Sequence, residues 1–293
     1  MIPTRRAVLA ATAGALLAGC TAPDRGRTAA SPSASVPATS DAGTSTAAPS
    51  TVAADPAVAV TRAEIVARYA HAVPRTWGFD APGVIHKLPA TDRDIALTFD
   101  ACGGPGGSGY DSALINFLRK RDIPATLFLN SRWIAANPAS FRRLAAEPLF
   151  EIANHGTNHR PLSVTGRSAY GIPGTRSAAE VYDEIAGNHA KLTRSLGVAP
   201  RFFRSGTAFC DDVAARIVTD LGERFVSFSV NGDGGATFTP EQVRSTVASA
   251  QAGSIVLCHM NHPRGGTARG IIAAVPRLLA RGHHFVHLKD ALH

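Results

Sequence analysis

The sequence Ala96-Leu97-Thr98-Phe99-Asp100-Ala101-Cys102-Gly103-Gly104 sets the arrangement of the residues that follow it. An apolar run ends abruptly in a carboxylate, and a glycine-rich loop comes next. This pattern predicts a buried strand that delivers Asp100 to the C-terminal edge of a sheet, where α/β proteins usually carry out chemistry. A buried aspartate that caps the next helix or closes a turn is the simpler interpretation of Asp100 alone. A site is favoured by polar residues at other predicted strand ends, namely His155 with His159, Arg204, and His259.

Buried strands and amphipathic helices alternate along the chain, which predicts a parallel sheet covered by helices. The predicted strands are 95–99, 125–129, 150–154, 202–203, 225–230, 254–257 and 284–288. The predicted helices are 61–69, 111–121, 137–146, 177–196, 211–221, 240–250 and 267–281. We therefore predict an α/β fold, a distorted or incomplete (β/α) barrel of about seven parallel strands. It forms a single domain over residues 91–293, preceded by a lead-in segment over residues 57–90.

The N-terminal residues have the composition of a secretion signal. Arg5-Arg6 precede an apolar segment that is too short to span a bilayer comfortably and that ends in Leu17-Ala18-Gly19-Cys20. This ending resembles a bacterial lipobox, which implies a signal peptide over residues 1–19 and a lipid on Cys20. The arginine pair resembles the twin-arginine signal, but ordinary Sec signals also begin with basic residues, so both export routes stay open.

Residues 20–56 consist almost entirely of Ala, Ser, Thr, Pro, Gly and Asp. This composition cannot bury enough apolar surface to offset chain entropy, so it predicts a disordered tether after the lipidated cysteine. A lipid anchor, a spacer and a folded body together predict a protein held at the outer face of the cell membrane. We expect this protein to be a monomer. The formal net charge of +8 is dispersed and no basic stripe is interleaved with aromatic residues, which argues against nucleic acid as a partner. The positive charge suits anionic lipid or wall polymers.

The four cysteines suggest one disulfide. With Cys20 assigned to lipidation, Cys102, Cys210 and Cys258 are left, an odd number for an oxidising compartment. Because Cys102 and Cys210 both lie in loops just past predicted strand ends, we predict that they pair, with a stabilisation of up to roughly 4.7 kcal/mol from the closed loop. Cys258 lies in an apolar strand and is predicted to be a buried thiol. A reactive or metal-binding cysteine is disfavoured because no Cys-x-x-Cys spacing exists.

The segment His155-Gly156-Thr157-Asn158-His159 places two imidazoles four residues apart. On a helical turn or in a compact loop both can meet one cation, and imidazole pairs suit Zn²⁺ and related divalent metals. Two surface histidines at this interval also arise by chance. The position directly after an apolar strand favours the metal-binding interpretation.

Taken in chain order, these segments resemble the polysaccharide deacetylases, that is, carbohydrate esterase family four with its NodB-homology domain. The resemblance rests on Thr98-Phe99-Asp100, on His155 to His159, on Arg204 and on Ile255-Val256-Leu257-Cys258-His259. It covers roughly residues 90–293, with fitting order and spacing. It implies a metal-dependent catalytic domain over residues 91–293 that hydrolyses acetyl groups of a polysaccharide.

The resemblance implies roles for the residues that bind the metal and activate water. Asp100 lies at the position of the catalytic base, and Arg204 at that of the arginine that holds this carboxylate. His155 and His159 lie at the positions of the metal ligands, with Asp100 as a candidate third ligand. Zinc is the expected metal, with cobalt and nickel left open.

The resemblance also implies roles on the opposite side of the site. His259 lies at the position of the general acid that protonates the leaving amine, and Asp233 is the candidate for the aspartate that tunes this histidine. Leu257 fits the apolar position beside the acetyl methyl group. Thr207, in the loop after Arg204, is placed in the substrate groove.

The sequence departs from the family pattern at three places. The family has a second, metal-ligating aspartate where this chain has Ala101, and a methyl group cannot bind a metal. Asp111 is a distant candidate to replace that ligand. The usual Arg-x-Pro-aromatic segment is Arg204-Ser205-Gly206-Thr207 here, and the aspartate-tryptophan signature is absent around Asp233.

Two functions follow from these observations. The first is an extracytoplasmic, lipid-anchored hydrolase that removes N-acetyl or O-acetyl groups from a cell-wall or surface glycan, with peptidoglycan the expected polymer. The alternative is a non-catalytic glycan-binding lipoprotein that keeps the groove without the metal chemistry. Retention of Asp100, Arg204 and His259 favours the enzyme, because a binding module needs no base and acid together. A metallopeptidase is disfavoured because His-Glu-x-x-His is absent.

Overall fold

The computed structural model describes residues 60–89 and 91–293, all of which lie within the compact unit Val52–His293. The predicted signal peptide, the lipidated Cys20 and the tether over residues 20–56 lie outside the described residues. Among the helices of the described part, none has both the length and the apolar character needed to cross a membrane.

Helices and strands alternate along most of the described chain. The strands are β1 (Trp77–Gly78), β2 (Asp94–Ala101), β3 (Ala125–Leu129), β4 (Phe150–Asn154), β5 (Phe202–Phe203), β6 (Cys210–Asp211), β7 (Arg224–Phe225), β8 (Val230–Asn231), β9 (Ile255–His259) and β10 (His284–Phe285). The α-helices are α1 (Arg62–Arg68), α2 (Ser112–Lys120), α3 (Ser131–Ala136), α4 (Pro138–Ala145), α5 (Ala178–Leu196), α6 (Asp212–Asp220), α7 (Pro240–Ala248), α8 (Thr267–Ala280) and α9 (Leu288–Ala291).

Seven parallel strands follow one another across the main sheet in the order β7-β5-β4-β3-β2-β9-β8, and β10 also pairs in parallel with β2. The end strands β7 and β8 do not pair with each other, so the curled sheet stays open. The predicted fold, a distorted barrel of about seven parallel strands with covering helices, is confirmed.

The central strand β2 alternates its side chains between two sides of the sheet, as the pleat requires. Leu97, Phe99 and Ala101 are fully buried in the core against α2 and α8, where each large side chain contributes about 1.5–3 kcal/mol. Ala96 is buried in a different cluster, on the other side of the sheet. This alternation directs Asp100 away from the α2 core and toward the inside of the curl.

The described part of the lead-in segment packs onto the domain. Helix α1 begins at the N-cap Thr61, whose reciprocal hydrogen bonds with Glu64 form the predicted capping box. Ile65 of α1 is fully buried, and β1 pairs antiparallel with β6. Helix α5 also begins as predicted at Ser177, which accepts a hydrogen bond from the Glu180 amide.

Two predicted strands differ from the structure, and one helix lies where none was predicted. The strand predicted over 225–230 is two short strands, β7 and β8, because the chain leaves the sheet between them to border a cavity. The strand predicted over 284–288 ends at Phe285, and Leu288 begins α9. Helix α3 was not predicted. Asn130 is its N-cap, and the side chain of Asn130 accepts a hydrogen bond from the Arg132 amide.

The predicted disulfide between Cys102 and Cys210 is wrong, since Cys102, Cys210 and Cys258 are all free thiols. Cys210 lies in β6 and is buried in an apolar cluster that includes Phe203 and Val213. Cys102 instead lies 3.8 Å from the Nε2 atom of His155. Cys258 is buried, as predicted.

Candidate active site

Asp100 is the penultimate residue of β2, is itself buried, and is held in place by a fully buried arginine. Arg204 follows β5, and its Nη1 atom donates to Asp100 Oδ1 at 2.8 Å. The second carboxylate oxygen, Oδ2, lies 3.5 Å from His155 Nε2. The ion pair compensates a carboxylate that burial alone would make costly. Arg204 also contacts the Thr98 hydroxyl, the carbonyl oxygens of Val226 and Ser227, and the ring of Phe128.

The loop after β4 presents His155 and His159, and helix α5 holds it in place. The backbone of His159 has a φ of 62°, in the left-handed region that costs a non-glycine residue roughly 1–2 kcal/mol. The buried carboxylate of Glu184 offsets this cost by accepting hydrogen bonds from the amides of Asn158 at 2.9 Å and Arg160 at 3.2 Å. The two imidazole rings meet edge to face, with centroids 4.8 Å apart.

The hydrogen bonds of His155 assign its tautomer. Its Nδ1 atom lies 2.9 Å from the carbonyl oxygen of Arg204, and a carbonyl can only accept, so Nδ1 carries a proton. In the neutral ring, Nε2 then presents a lone pair toward Asp100 and Cys102. Histidines that bind metals are commonly oriented in this way by a backbone carbonyl.

Cys102, His155 and His159 form a group that can hold a metal ion. One donor atom from each of the three lies within 4.8 Å of the donor atoms of the other two. A thiolate with two imidazoles is a donor set that Zn²⁺ and Co²⁺ favour, so these residues fit a divalent cation. The predicted third ligand, Asp100, is outside this group of mutually close donors.

His259 ends β9 beside Asp100, because these two residues are direct partners in the parallel pairing of β2 and β9. Its Nδ1 atom donates to Asp233 Oδ1 at 2.9 Å, and its backbone amide donates to Asp233 Oδ2 at 2.7 Å. The hydroxyl of Thr267 donates to the same Oδ2 at 2.8 Å. The fully buried Asp233 therefore fixes the ring of His259, and its Nε2 atom is left for partners other than Asp233.

A cavity of about 510 Å³ joins these groups. Asp100, Cys102 and His259 lie on its wall with His159. Two residues predicted to bind substrate, Leu257 and Thr207, also line it. The rest of the lining is mainly small or aromatic, and includes Gly103, Pro105, Gly107, Tyr170, Ile172, Ala208, Phe228, Gly234, Gly235, Phe238 and His262.

Comparison with known proteins agrees with this geometry. Residues 87–226 match the family model described as polysaccharide deacetylase. These residues form a polysaccharide deacetylase domain. A chitooligosaccharide deacetylase of Rhizobium leguminosarum bv. trifolii is 28% identical over 204 residues, which cover 65% of this chain and 88% of that protein.

Solved structures share the fold of this deacetylase. A CE4 family pseudoenzyme from Bacillus anthracis superposes with a TM-score of 0.61 at 20% identity, covering 73% of this chain and 70% of that one. A peptidoglycan N-acetylglucosamine deacetylase superposes with a TM-score of 0.60 at 22% identity, covering 71% of this chain and 92% of that one. The family relationship identifies the chain as a hydrolase of the deacetylase type.

The charges of the deacetylase site stabilise one another. Burial lowers the pKa of His259, but the charge of Asp233, its hydrogen bond and the neighbouring Cys102 outweigh burial and raise that pKa well above its usual range. Burial raises the pKa of Asp233, and the charge of His259 outweighs it, so the pKa is lowered. Burial likewise raises the pKa of the Cys102 thiol, but the three histidines around it lower the pKa well below its usual range. Burial lowers the pKa of His155, and the charge of Asp100 with the Cys102 contact raises it overall.

The structure thus brings together Asp100, Arg204, His155, His159 and His259, with Asp233 behind His259. The candidate ligand Asp111 is not in this group, because its carboxylate caps α2 by accepting from the Leu114 amide at 3.0 Å.

Sequence reasoning missed two residues. Cys102 was assigned to a disulfide, although it directly follows the strand that ends in Asp100 and Ala101. Glu184 gave no separate signal, because a glutamate within a long helix is ordinarily solvated, and only the packing of α5 against the loop after β4 shows its role.

Proposed function

We propose that this deacetylase removes N-acetyl or O-acetyl groups from a cell-wall or surface polysaccharide, with peptidoglycan the favoured polymer. One observation carries the proposal. Asp100, which is paired with Arg204, and His259, which is paired with Asp233, border the same cavity, next to two further imidazoles. Deacetylation requires a base, an acid and a centre that polarises the carbonyl, and this cavity has candidates for all three.

The residues at the end of β2 would activate water. When bound at this site, a divalent cation supplies Lewis-acid polarisation of the acetyl carbonyl and lowers the pKa of water. Asp100 is placed to accept the proton of the attacking water through Oδ2, because its Oδ1 atom is engaged by Arg204. Arg204 keeps the carboxylate in one orientation, so the base meets the water in a defined geometry.

The residues at the end of β9 would protonate the leaving nitrogen. His259 donates through Nδ1 to Asp233, so its Nε2 atom is the one that can deliver a proton into the cavity. The raised pKa of His259 keeps the ring protonated near neutral pH, as a general acid requires. Leu257, two residues earlier on the same face of β9, provides an apolar surface for the acetyl methyl group.

Aromatic side chains at the mouth of the cavity support a carbohydrate substrate. Tyr170 is 78% exposed and packs edge-on against Phe209. Phe228 lines the cavity and stacks on Phe79, with ring centroids 5.5 Å apart. Flat apolar faces with a few polar groups between them suit sugar rings. The activities of two similar proteins, on chitooligosaccharide and on peptidoglycan N-acetylglucosamine, support the same substrate class.

We also propose that the enzyme acts outside the cytoplasm, as a monomer attached to the membrane through a lipid on Cys20. The Leu17-Ala18-Gly19-Cys20 sequence supports this location. Fractionation of cells that express the wild-type chain and the Cys20→Ala variant tests it. We expect the wild-type protein in the membrane fraction and the variant outside that fraction. The same distribution for both proteins would contradict lipid attachment at Cys20.

Acetate release tests the activity. The purified protein with zinc is incubated with chitooligosaccharides, acetylated xylan and peptidoglycan, and free acetate is measured. We expect release by the wild-type protein and a loss of at least about 100-fold in Asp100→Asn and His259→Ala, as is usual for removal of an acid or base. Asp122→Asn and His284→Ala change the same residue types at exposed positions and should leave the rate unchanged.

A glycan-binding protein without catalysis is the second candidate. Ala101, at the position where the family carries a metal ligand, favours it, and so does the shared fold with the Bacillus anthracis pseudoenzyme. That pseudoenzyme has a mutant with restored enzymatic activity, so the fold itself does not decide between the two functions. Glycan binding without acetate release above the Asp100→Asn variant, on all three polymers, would establish the binding function instead.

A further inference from the structure

We propose that Cys102 is a ligand of the divalent cation in this deacetylase, so that the site is held by one thiolate and two imidazoles. The proposal rests on the proposed function only in placing a cation at this site. It assigns a role to a side chain that neither the sequence pattern nor the family resemblance singles out as a ligand.

The distances fit a tetrahedral cation. With Zn–N bonds near 2.0 Å and Zn–S bonds near 2.3 Å, donor atoms on a tetrahedron are roughly 3.3–3.8 Å apart. The distance from Cys102 Sγ to His155 Nε2 is 3.8 Å, and all three donors of the group lie within 4.8 Å of one another. Small side-chain movements are therefore enough to bring Cys102, His155 and His159 onto one ion.

The backbone explains why position 102 can supply the ligand and position 101 cannot. Ala101 is the last residue of β2 and is fully buried in the core on the α2 side, facing away from the cavity. Cys102 is the next residue and lies on the cavity wall. Its carbonyl oxygen accepts a hydrogen bond from Arg132 Nη2 at 3.2 Å, which anchors the backbone there. Gly103 then turns with a φ of 66°, where a Cβ would lie 2.5 Å from the Trp133 amide nitrogen.

The other uses of a thiol at this position fit less well. A disulfide with Cys210 is excluded, since both are free thiols and Cys210 is buried in its own apolar cluster. A purely structural thiol would be surrounded by apolar groups, whereas Cys102 faces imidazoles. The hydrogen bond from His155 Nδ1 to the Arg204 carbonyl points Nε2 at the same spot, as is usual around a metal.

The donor set predicts which metals bind. A thiolate ligand favours Zn²⁺ and Co²⁺ over Mg²⁺ and Mn²⁺, which prefer oxygen donors. Replacing the thiolate with a carboxylate should weaken that preference. Selectivity therefore reports on the ligand at position 102, without any reference to acetate release.

Cobalt spectroscopy tests the ligand directly. Metal-free protein is titrated with Co²⁺ and its absorption is recorded. We expect one equivalent to give visible d–d bands together with an intense near-ultraviolet band from sulfur-to-cobalt charge transfer. In Cys102→Asp the d–d bands should persist while the charge-transfer band is lost. In Cys102→Ser the affinity for Co²⁺ should fall by at least about 10-fold.

The control is Cys258→Ala, which removes a buried thiol outside the group and should keep the charge-transfer band. Persistence of d–d bands in Cys102→Asp shows that this variant still folds around the metal. Three results would each overturn the proposal. The wild-type protein could bind cobalt without the charge-transfer band, the wild-type protein could fail to bind cobalt, or Cys102→Asp could keep the band unchanged. The band without acetate release would overturn the proposed function alone, and acetate release without the band would overturn the thiolate ligand alone.

Discussion

The most constrained residue of the site is Arg204, whose guanidinium is fully buried and contacts a carboxylate, a hydroxyl, two carbonyl oxygens and an aromatic ring. A lysine keeps the charge, but its single nitrogen cannot reach these partners from one position. Breaking a buried pair in this way typically costs about 3–5 kcal/mol. We expect Arg204→Lys to lower the free energy of unfolding by that amount.

The same variant should reduce kcat more than it raises KM, because Asp100 loses its fixed orientation while the sugar-binding surface is unchanged. Urea unfolding and steady-state acetate release measure the two effects. Arg201→Lys is the matched control. Because Arg201 is exposed, this substitution should lower the free energy of unfolding by less than about 1 kcal/mol. Equal stability of the two variants would mean that the Asp100–Arg204 pair is not structurally important.

A substitution at Ala101 tests which residue after Asp100 is placed to bind the metal. Ala101→Asp restores the carboxylate pair of the family pattern, but the side chain at 101 points into the α2 core. Burying an unpaired carboxylate there should destabilise the protein by several kcal/mol, and should not tighten zinc binding. Thermal unfolding with and without zinc measures both. A stable Ala101→Asp variant with tighter zinc binding would show that position 101 faces the metal.

At the scale of elements, α5 determines the shape of the histidine loop. Glu184→Gln keeps the size of the side chain but replaces one accepting oxygen with an NH₂ group that opposes backbone amides. We expect a loss of about 1.5–3 kcal/mol, the value of hydrogen bonds to a charged group, together with weaker zinc binding. Isothermal titration with zinc and chemical unfolding provide the two readouts. Glu241→Gln, which alters an exposed glutamate, should change neither.

Helix α1 tests whether the lead-in segment belongs to the folded domain. Ile65 is fully buried against the cluster that includes Val181 and Val213, whereas Val66 beside it is 38% exposed. Ile65→Ala should cost about 2–4 kcal/mol through the cavity it leaves, and Val66→Ala less than about 0.5 kcal/mol. Urea unfolding midpoints compare the two. Equal midpoints would show that α1 adds nothing to the stability of the domain.

The long apolar strands β2, β3 and β4 could be predicted from the sequence because each is a run of buried residues bounded by polar or glycine signals. The break between β7 and β8 could not, since apolar residues recur through 225–230 with only Ser227 and Ser229 between them, as in a continuous strand. Phe228 nevertheless leaves the sheet and borders the cavity. The position of Asp100 relative to His259 followed from placing both at strand ends of one parallel sheet. The direction of Cys102 did not, because side-chain alternation no longer applies once the strand has ended.

At the scale of the whole molecule, the cation would connect parts of the chain that are far apart in sequence. Cys102 follows β2 at the centre of the sheet, whereas His155 and His159 follow β4 two strands away. Because these elements belong to one sheet, a ligand that binds only the folded state should stabilise the entire domain. Stabilisation equals RT ln(1 + [L]/Kd), or about 2.7 kcal/mol at 100 times Kd.

That linkage predicts the effect of metal on thermal unfolding. For domains of 150–250 residues, 1 kcal/mol shifts Tm by about 2–4 °C, so zinc at 100 times its Kd should raise the Tm of metal-free protein by about 5–11 °C. Differential scanning calorimetry after chelation and after zinc addition measures the shift, with Mg²⁺ as the control cation. His155→Ala should lose most of the shift, because it removes a ligand. An equal shift in His155→Ala would place the stabilising zinc elsewhere, because the cation could then not be acting through the ends of β2 and β4.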